Sequence, residues 1–261
     1  MTILTSNTHI LNCREYAQFV LSSKVVKPNT RRNWEAMFRT LPLDQYLMPL
    51  SDIQAFQIVN SVANQNTRRT VIQMMKVIFQ VNLKSPPRII TDLNLPSFEE
   101  MDIVVQNSGR YRMYANLMLH AGFRIGETFV KQKVQGMGVL VQSQVIFDKS
   151  IQPAKSSGHV VFPTWLLDEY KEWQPEYNNA ATILQGLKRH FKKSGLDENV
   201  TCHKLRHVFA SHYAKLLSIE ALRKQMRHSD IKTTMSYYVH VKEGDILDVM
   251  HTRKPDLRMV N

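Results

Sequence analysis

Cysteine is nearly absent from this 261-residue chain; Cys13 and Cys202 are the only two. Two thiols cannot build a disulfide framework, so a reducing, cytoplasmic setting is expected. Glycine is scarce as well, and nine residues exclude collagen-like and glycine-rich linker architectures. No apolar run approaches the roughly 18 residues of a membrane span. The opening stretch MTILTSNTHILNC lacks the basic start and apolar core of a secretory signal. Acidic residues are the last shortage. There are 22 Asp and Glu against 34 Lys and Arg, a net charge of +12 with histidine neutral. Such a surplus selects partners rather than a fold. Nucleic acid leads, and an anionic membrane surface or an acidic protein fits the same number. Apolar residues make up 43% of the chain, enough for a real core and too many for disorder. The length allows one or two domains.

The first 83 residues read as helices. Arg14 to Leu21 is amphipathic, and Pro28-Asn29-Thr30 precedes a helix that either Asn29 or Thr30 can cap. Leu50-Ser51-Asp52 opens a third helix. Asn66-Thr67 opens a fourth, with Val71, Met74, Met75, Ile78 and Phe79 on its apolar face. The tetrapeptide Asn-Thr-Arg-Arg occurs at 29–32 and again at 66–69. It reads either as two capped helix starts or as two pairs of arginines held toward phosphates, since arginine is unfavourable in a first helical turn.

Residues 84–96 hold three prolines and little helical pattern, which marks a linker and domain boundary. Ser97 followed by Glu100 reads as a helix start with a capping box, and helical pattern continues to about Lys131. Residues 138–163 change to strand-like patterning, with a turn expected at Lys155-Ser156-Ser157-Gly158. Helices return after Pro163 and run to about Met250, followed by a polar tail.

Residues 201–241 carry the chemistry. His203 and Arg206 lie three apart and share a helical face. His228 follows, with Tyr237 nine residues beyond it, and Arg124 sits upstream just after Ala121-Gly122. Two guanidiniums can each grip two non-bridging oxygens of a pentavalent phosphorane. A tyrosine phenol, with a reference pKa of about 10, attacks only beside a base in a strongly positive field. A lysine reaching the leaving oxygen supplies a general acid. Arg, Lys, His, Arg, His and Tyr therefore form a phosphoryl-transfer site that needs no metal. Tyr238 is also eligible as nucleophile, but on a helix it points about 100° away from Tyr237; Lys149 competes with Lys155. His203 and His207 have the i, i+4 spacing of a zinc helix, yet Lys204 stands where a zinc protease needs glutamate. His207 and His212 read as packing or hydrogen-bonding residues, and Cys202 as a buried thiol.

These segments resemble the tyrosine recombinase (phage integrase) family. The resemblance lies in Gly122-Phe123-Arg124-Ile125-Gly126-Glu127, in His203-Lys204-Leu205-Arg206-His207, and in His228-Ser229 through Thr233-Thr234 to Tyr237. Lys155, eight residues before Pro163, matches the family's β-hairpin lysine. The motifs span about 97–241, and a weaker likeness over 10–83 points to the family's helical core-binding domain. Two departures stand out. Met226-Arg227 replaces the usual Leu-Gly, and Leu217-Ser218-Ile219 replaces a stretch that usually holds glycine.

The resemblance implies a mostly α fold with a small β-sheet: a helical N-terminal core-type DNA-binding domain (1–83), a linker (84–96) and an α+β catalytic domain (97–261). Tyr237 would form a 3′-phosphotyrosyl link and free a 5′-hydroxyl. Arg124 and Arg206 would hold the scissile phosphate, and Lys155 would protonate the leaving oxygen. His203 would act as base toward the tyrosine and later as acid, His228 would hydrogen-bond the phosphate, and Glu127 would orient the arginines. No cofactor, neither ATP nor metal, would be required. Arg31, Arg32, Arg68, Arg69, Lys84 and Arg88 would contact the phosphates of double-stranded DNA recombination sites. Four protomers would synapse two sites, with 242–261 docking on a neighbour and with accessory DNA-bending or directionality factors as further partners. The short stretch before residue 10 leaves no room for the arm-type domain of larger phage integrases. Integration or excision of a phage or mobile element is the leading expectation. Alternatives are an Xer-type dimer resolvase, a type IB topoisomerase-like enzyme and a catalytically silent DNA-binding accessory protein.

Overall fold

The computed structural model describes residues 11–87, 95–146, 148–196 and 201–238. The chain divides into two units, Met1–Leu93 and Asn94–Asn261.

In the first unit, four helices enclose one core. They are α1 (Cys13–Ser23), α2 (Pro28–Thr40), α3 (Asp52–Asn60) and α4 (Gln65–Phe79). Ala17, Leu21, Phe38, Ile58, Met74, Met75 and Ile78 are buried in it, as the three- and four-residue spacing requires. Capping boxes start α1 (Asn12 with Glu15) and α3 (Ser51 with Gln54), each satisfying amide groups that a helix start leaves unpaired. The start of α2 differs from the sequence expectation. Lys27 is its cap residue and Pro28 its first residue, so Asn29 and Thr30 lie inside the first turn. Proline suits that position because its missing N–H has no partner to lose. Likewise α4 starts one turn-fraction earlier than expected, capped by the Asn64 side chain. Arg14 ties the unit together, with a 2.7 Å ion pair to Asp44 and hydrogen bonds to the Phe38 and Leu41 carbonyls.

The second unit is mostly helical around a small sheet. Helices α5 (Phe98–Gln106) and α6 (Arg112–His120) come first, then a short 3-10 turn over Ile125–Phe129. The expected continuous helical pattern to Lys131 is therefore interrupted: Gly109 and Gly122 adopt positive φ angles of 56° and 69°, a conformation few other residues tolerate. Ser97 and Glu100 form the expected capping box. Strands β1 (Lys133–Gln135), β2 (Gly138–Val145) and β3 (Ile151–Val161) form an antiparallel sheet in the order β1-β2-β3. Gly138 pairs with Val161 and Val145 with Ile151, with an irregularity between Val141 and Ser143.

That register moves the expected hairpin turn. Ile146 and Ser150 close the reversal: the Ile146 amide donates to Ser150 and the Lys149 amide to Ile146. The Asp148 side chain accepts from the Ser150 amide at 2.8 Å, and Lys149 sits at φ 65°. Lys155 to Gly158 lie within β3 instead. Asp chemistry outweighs the Ser-Ser-Gly composition because its carboxylate closes a local turn.

Five helices follow: α7 (Thr164–Glu172), α8 (Ala180–Lys193), α9 (Cys202–Tyr213), α10 (Ile219–Met226) and α11 (Ile231–Tyr238). Helix α6 is buried from Met113 to His120, as a helix must be when neighbours cover every side. Its Tyr114, Ala115, Met118 and Leu119 share a core with Leu205 and Val208 of α9 and Ile183 and Leu187 of α8. Phe209, Leu222 and Met226 form a smaller cluster under α10 and α11. Among the described residues, no helix is long and apolar enough to cross a membrane. The polar tail and the segment 242–261 lie outside the described residues, as does Arg88.

Candidate phosphoryl-transfer site

The site is built on Gly122, Glu127 and the first two turns of α9. Gly122 takes φ 69°, and a Cβ there would come within 2.9 Å of the Phe209 ring. This close approach brings the Gly122 carbonyl to Arg206, which donates to it and to the Met226 carbonyl. Arg206 is buried, with 2% of its surface exposed. Among the described residues its hydrogen-bond partners are those two neutral carbonyls. Burial, and then the positive charges of Arg124 and Arg227, push its pKa down. Glu127 offsets part of this without hydrogen-bonding Arg206, so a further anion beside the guanidinium is still favoured.

Two residues beyond Gly122, Arg124 precedes the 3-10 turn and remains partly exposed. Its amide donates to Glu127 at 2.7 Å and its guanidinium at 2.9 Å. Glu127 is fully buried and also accepts from Arg227. The carboxylate thus orients Arg124 and Arg227; Arg206 is oriented by carbonyls. Arg227 was not singled out by its sequence as part of this arrangement. It occupies the left-handed position that ends α10, at φ 53° and ψ 45°. A missing glycine before His228 was the available signal, because that turn must then be held by another contact.

Arg227 also anchors β3, since its carbonyl accepts a 2.6 Å hydrogen bond from the Ser156 hydroxyl. Lys155, the neighbour of Ser156, is exposed. Its charge reaches His203, which desolvation among its neighbours, then the positive charges of Arg206, Arg124 and Lys155, holds below the usual histidine range. Lys149 sits in the β2–β3 reversal.

His203 and His207 stand one helical turn apart, ring centroids 4.5 Å apart and nearly perpendicular. The Tyr237 hydroxyl lies 2.7 Å from His207 Nδ1. Burial pushes His207 down to about 4, helped by His203 and Arg206. It pushes Tyr237 up, against the opposing pull of Arg206. His228 Nδ1 pairs with the Thr234 hydroxyl at 3.0 Å, and its ring runs nearly parallel to Tyr237. Burial and then Arg206, Arg124 and Arg227 drive His228 to about 4. Tyr238 is engaged elsewhere, its hydroxyl donating to the Leu217 carbonyl at 2.8 Å. Ser218, in the stretch that lacks glycine, caps α10. Cys202 is buried, its thiol pushed up to about 11, and His212 stacks on Phe98.

Three of the first unit's arginines donate to nearby carbonyls. Arg31 donates to the Lys24 carbonyl, Arg68 to those of Val62 and Asn60, and Arg69 to that of Pro86. Gln65 also donates to the Pro87 carbonyl, so the first residues of the proline-rich segment are tied to α4. Arg32 and Lys84 are exposed.

Residues 141–244 match the family model described as the phage integrase family. A 58-residue stretch is 38% identical to the tyrosine recombinase XerC of Alcanivorax borkumensis, covering 22% of this chain and 19% of that protein. The fold is similar to that of the Tn1549 transposon integrase in complex with transposon right end DNA, with a TM-score of 0.68 at 15% identity over 93% of this chain and 99% of that one. It is also similar to the lambda integrase dimer bound to a COC′ core site, with a TM-score of 0.65 at 16% identity over 87% and 77% of the two chains. The region of the second and third motifs thus matches the phage integrase family model, on a fold similar to that of solved integrases.

Proposed function

We propose that the protein is a site-specific DNA strand transferase that cuts and rejoins double-stranded DNA through a 3′-phosphotyrosyl intermediate. The observation that best supports this is Arg206: a buried guanidinium hydrogen-bonded to carbonyls rather than to a carboxylate, within the field of Arg124 and with its own charge acting on Tyr237. A phosphodiester supplies the missing negative charge. Tyr237 attacks phosphorus, and the bond to the 5′-oxygen breaks. Lys155 gives that oxygen a proton, while Arg124, Arg206 and His228 hold the non-bridging oxygens. His203 exchanges protons at the phosphate. The guanidiniums take the role that a metal plays in other phosphoryl transfers, and the tyrosyl link conserves the phosphodiester energy, so ATP has no part.

The natural reaction in this reading is integration or excision of a phage or mobile element. Four protomers synapse two sites, 242–261 docks on a neighbour, and the helical first unit grips the duplex. A second reading, Xer-type dimer resolution, is favoured by the 58-residue match to XerC. Incubation with a nicked suicide duplex tests the chemistry: a covalent protein–DNA adduct forms with the wild type and with Tyr238→Phe, but not with Tyr237→Phe. An adduct that persists in Tyr237→Phe overturns the assignment. Recombination between unlike attachment sites, against resolution of directly repeated identical sites, separates the two biological readings.

A further inference from the structure

The proton on Tyr237 must leave when its oxygen bonds to phosphorus. The family resemblance implies His203 as the base that takes it. The ring that touches the phenol is a different one. Tyr237 Oη lies 2.7 Å from His207 Nδ1, within ordinary hydrogen-bond reach. His207 is faced on α9 by His203 and Arg206, on α11 by Tyr237 and from the turn before α11 by His228. A phenol is a better donor than a neutral imidazole N–H, so Tyr237 donates and His207 carries its own hydrogen on Nε2.

The geometry points to His207, rather than His203, as the group that receives the Tyr237 proton as the oxygen attacks phosphorus. This rests on the strand-transfer reading. The Oη–H bond breaks, the proton moves to Nδ1, and the phenolate electron pair forms the bond to phosphorus. The P–O5′ electron pair leaves with the 5′-oxygen, which takes its proton from Lys155. His207 is then an imidazolium beside a newly bound phosphodiester. His203, its ring 4.5 Å away, is left free to serve the phosphate side, where Arg124 and Lys155 influence it.

Single-turnover adduct formation on a nicked suicide duplex tests this across pH. His207→Gln should bind the duplex with wild-type affinity and slow adduct formation by about 100-fold or more. Its rate should climb about tenfold per pH unit between roughly pH 7 and 9, because phenol ionisation then precedes attack. The wild type should be flat over that range. His207→Asn, whose amide oxygen can accept the hydrogen bond but not the proton, should behave like His207→Gln. Wild-type rates in either variant, or the hydroxide-like slope appearing in His203→Gln instead, overturn the inference. If the variants fail to melt cooperatively, ¹⁵N-histidine NMR decides: Tyr237→Phe should shift the His207 Nδ1 resonance, and an unmoved resonance overturns the proposal. Loss of the adduct in Tyr237→Phe with normal His207 variants overturns this inference alone. A wild type that forms no adduct overturns the strand-transfer reading.

Discussion

Arg227 and Glu127 form a buried ion pair, with 2% and 0% of their side chains exposed. Glu127 holds Arg124 with its other oxygen, so one carboxylate sets two guanidiniums. Removing one partner of a buried pair leaves the other charge without compensation. Arg227→Ala should therefore lower stability by about 3 kcal/mol. Arg227→Gly should recover about 1 kcal/mol of that loss, because glycine suits the left-handed position and alanine does not. Urea denaturation of the three proteins checks both numbers. Equal stability of the glycine and alanine forms would rule out backbone strain at this position.

Arg206→Lys keeps the charge but loses the fork that spans the Gly122 and Met226 carbonyls. An ammonium is a point charge and cannot grip two phosphate oxygens in a plane. Adduct formation should fall by about 10²- to 10³-fold, with duplex affinity little changed. A gel-shift titration beside the cleavage assay separates the two.

His207 and His228 both lie near pKa 4 in the folded chain against an ordinary 6.5. Their folded values are depressed, so the unfolded chain binds more protons between those limits. Stability is full above about pH 6.5 and falls as pH drops toward 4. The slope from the two together is at most about 2.7 kcal/mol per pH unit. Thermal melts of the DNA-free protein across this range check the sign. Melts that rise on acidification would contradict it.

Arg69 reaches the Pro86 carbonyl from α4. A hydrogen bond from a charged donor is worth about 1.5–3 kcal/mol, so Arg69→Ala should destabilise the first unit by about that much. A contact to DNA phosphate would instead flatten the salt dependence of binding by about 0.9 in log–log slope. Measuring both in Arg69→Ala and in Lys84→Ala, an exposed residue, tells a structural arginine from a phosphate-binding one.

Much of the fold was legible because its signals are local. Ser51 and Ser97 announce helix starts through side chains that reach only three residues, and the α4 apolar face follows from spacing alone. The strand turn was misjudged for the opposite reason. Lys155 to Gly158 has turn composition, but pairing with β2 holds it extended, and that register is a tertiary fact. The motif residues Arg124, His203, Arg206, His228 and Tyr237 stand out as an ordered pattern. The contacts that distinguish this chain do not: Arg227 meets Glu127 across 100 positions and Tyr237 meets His207 across 30. The missing glycine before His228 signals that Arg227 needs some contact, but the neighbouring sequence names neither partner.

Tyr238 follows Tyr237 directly and carries the same hydroxyl, yet its oxygen is turned to the Leu217 carbonyl. Covalent cutting is safe only when it can be undone from the same atom. In the strand transfer proposed above, withholding the second hydroxyl would leave each cut end held in a single way, so that every break retraces one path to closure.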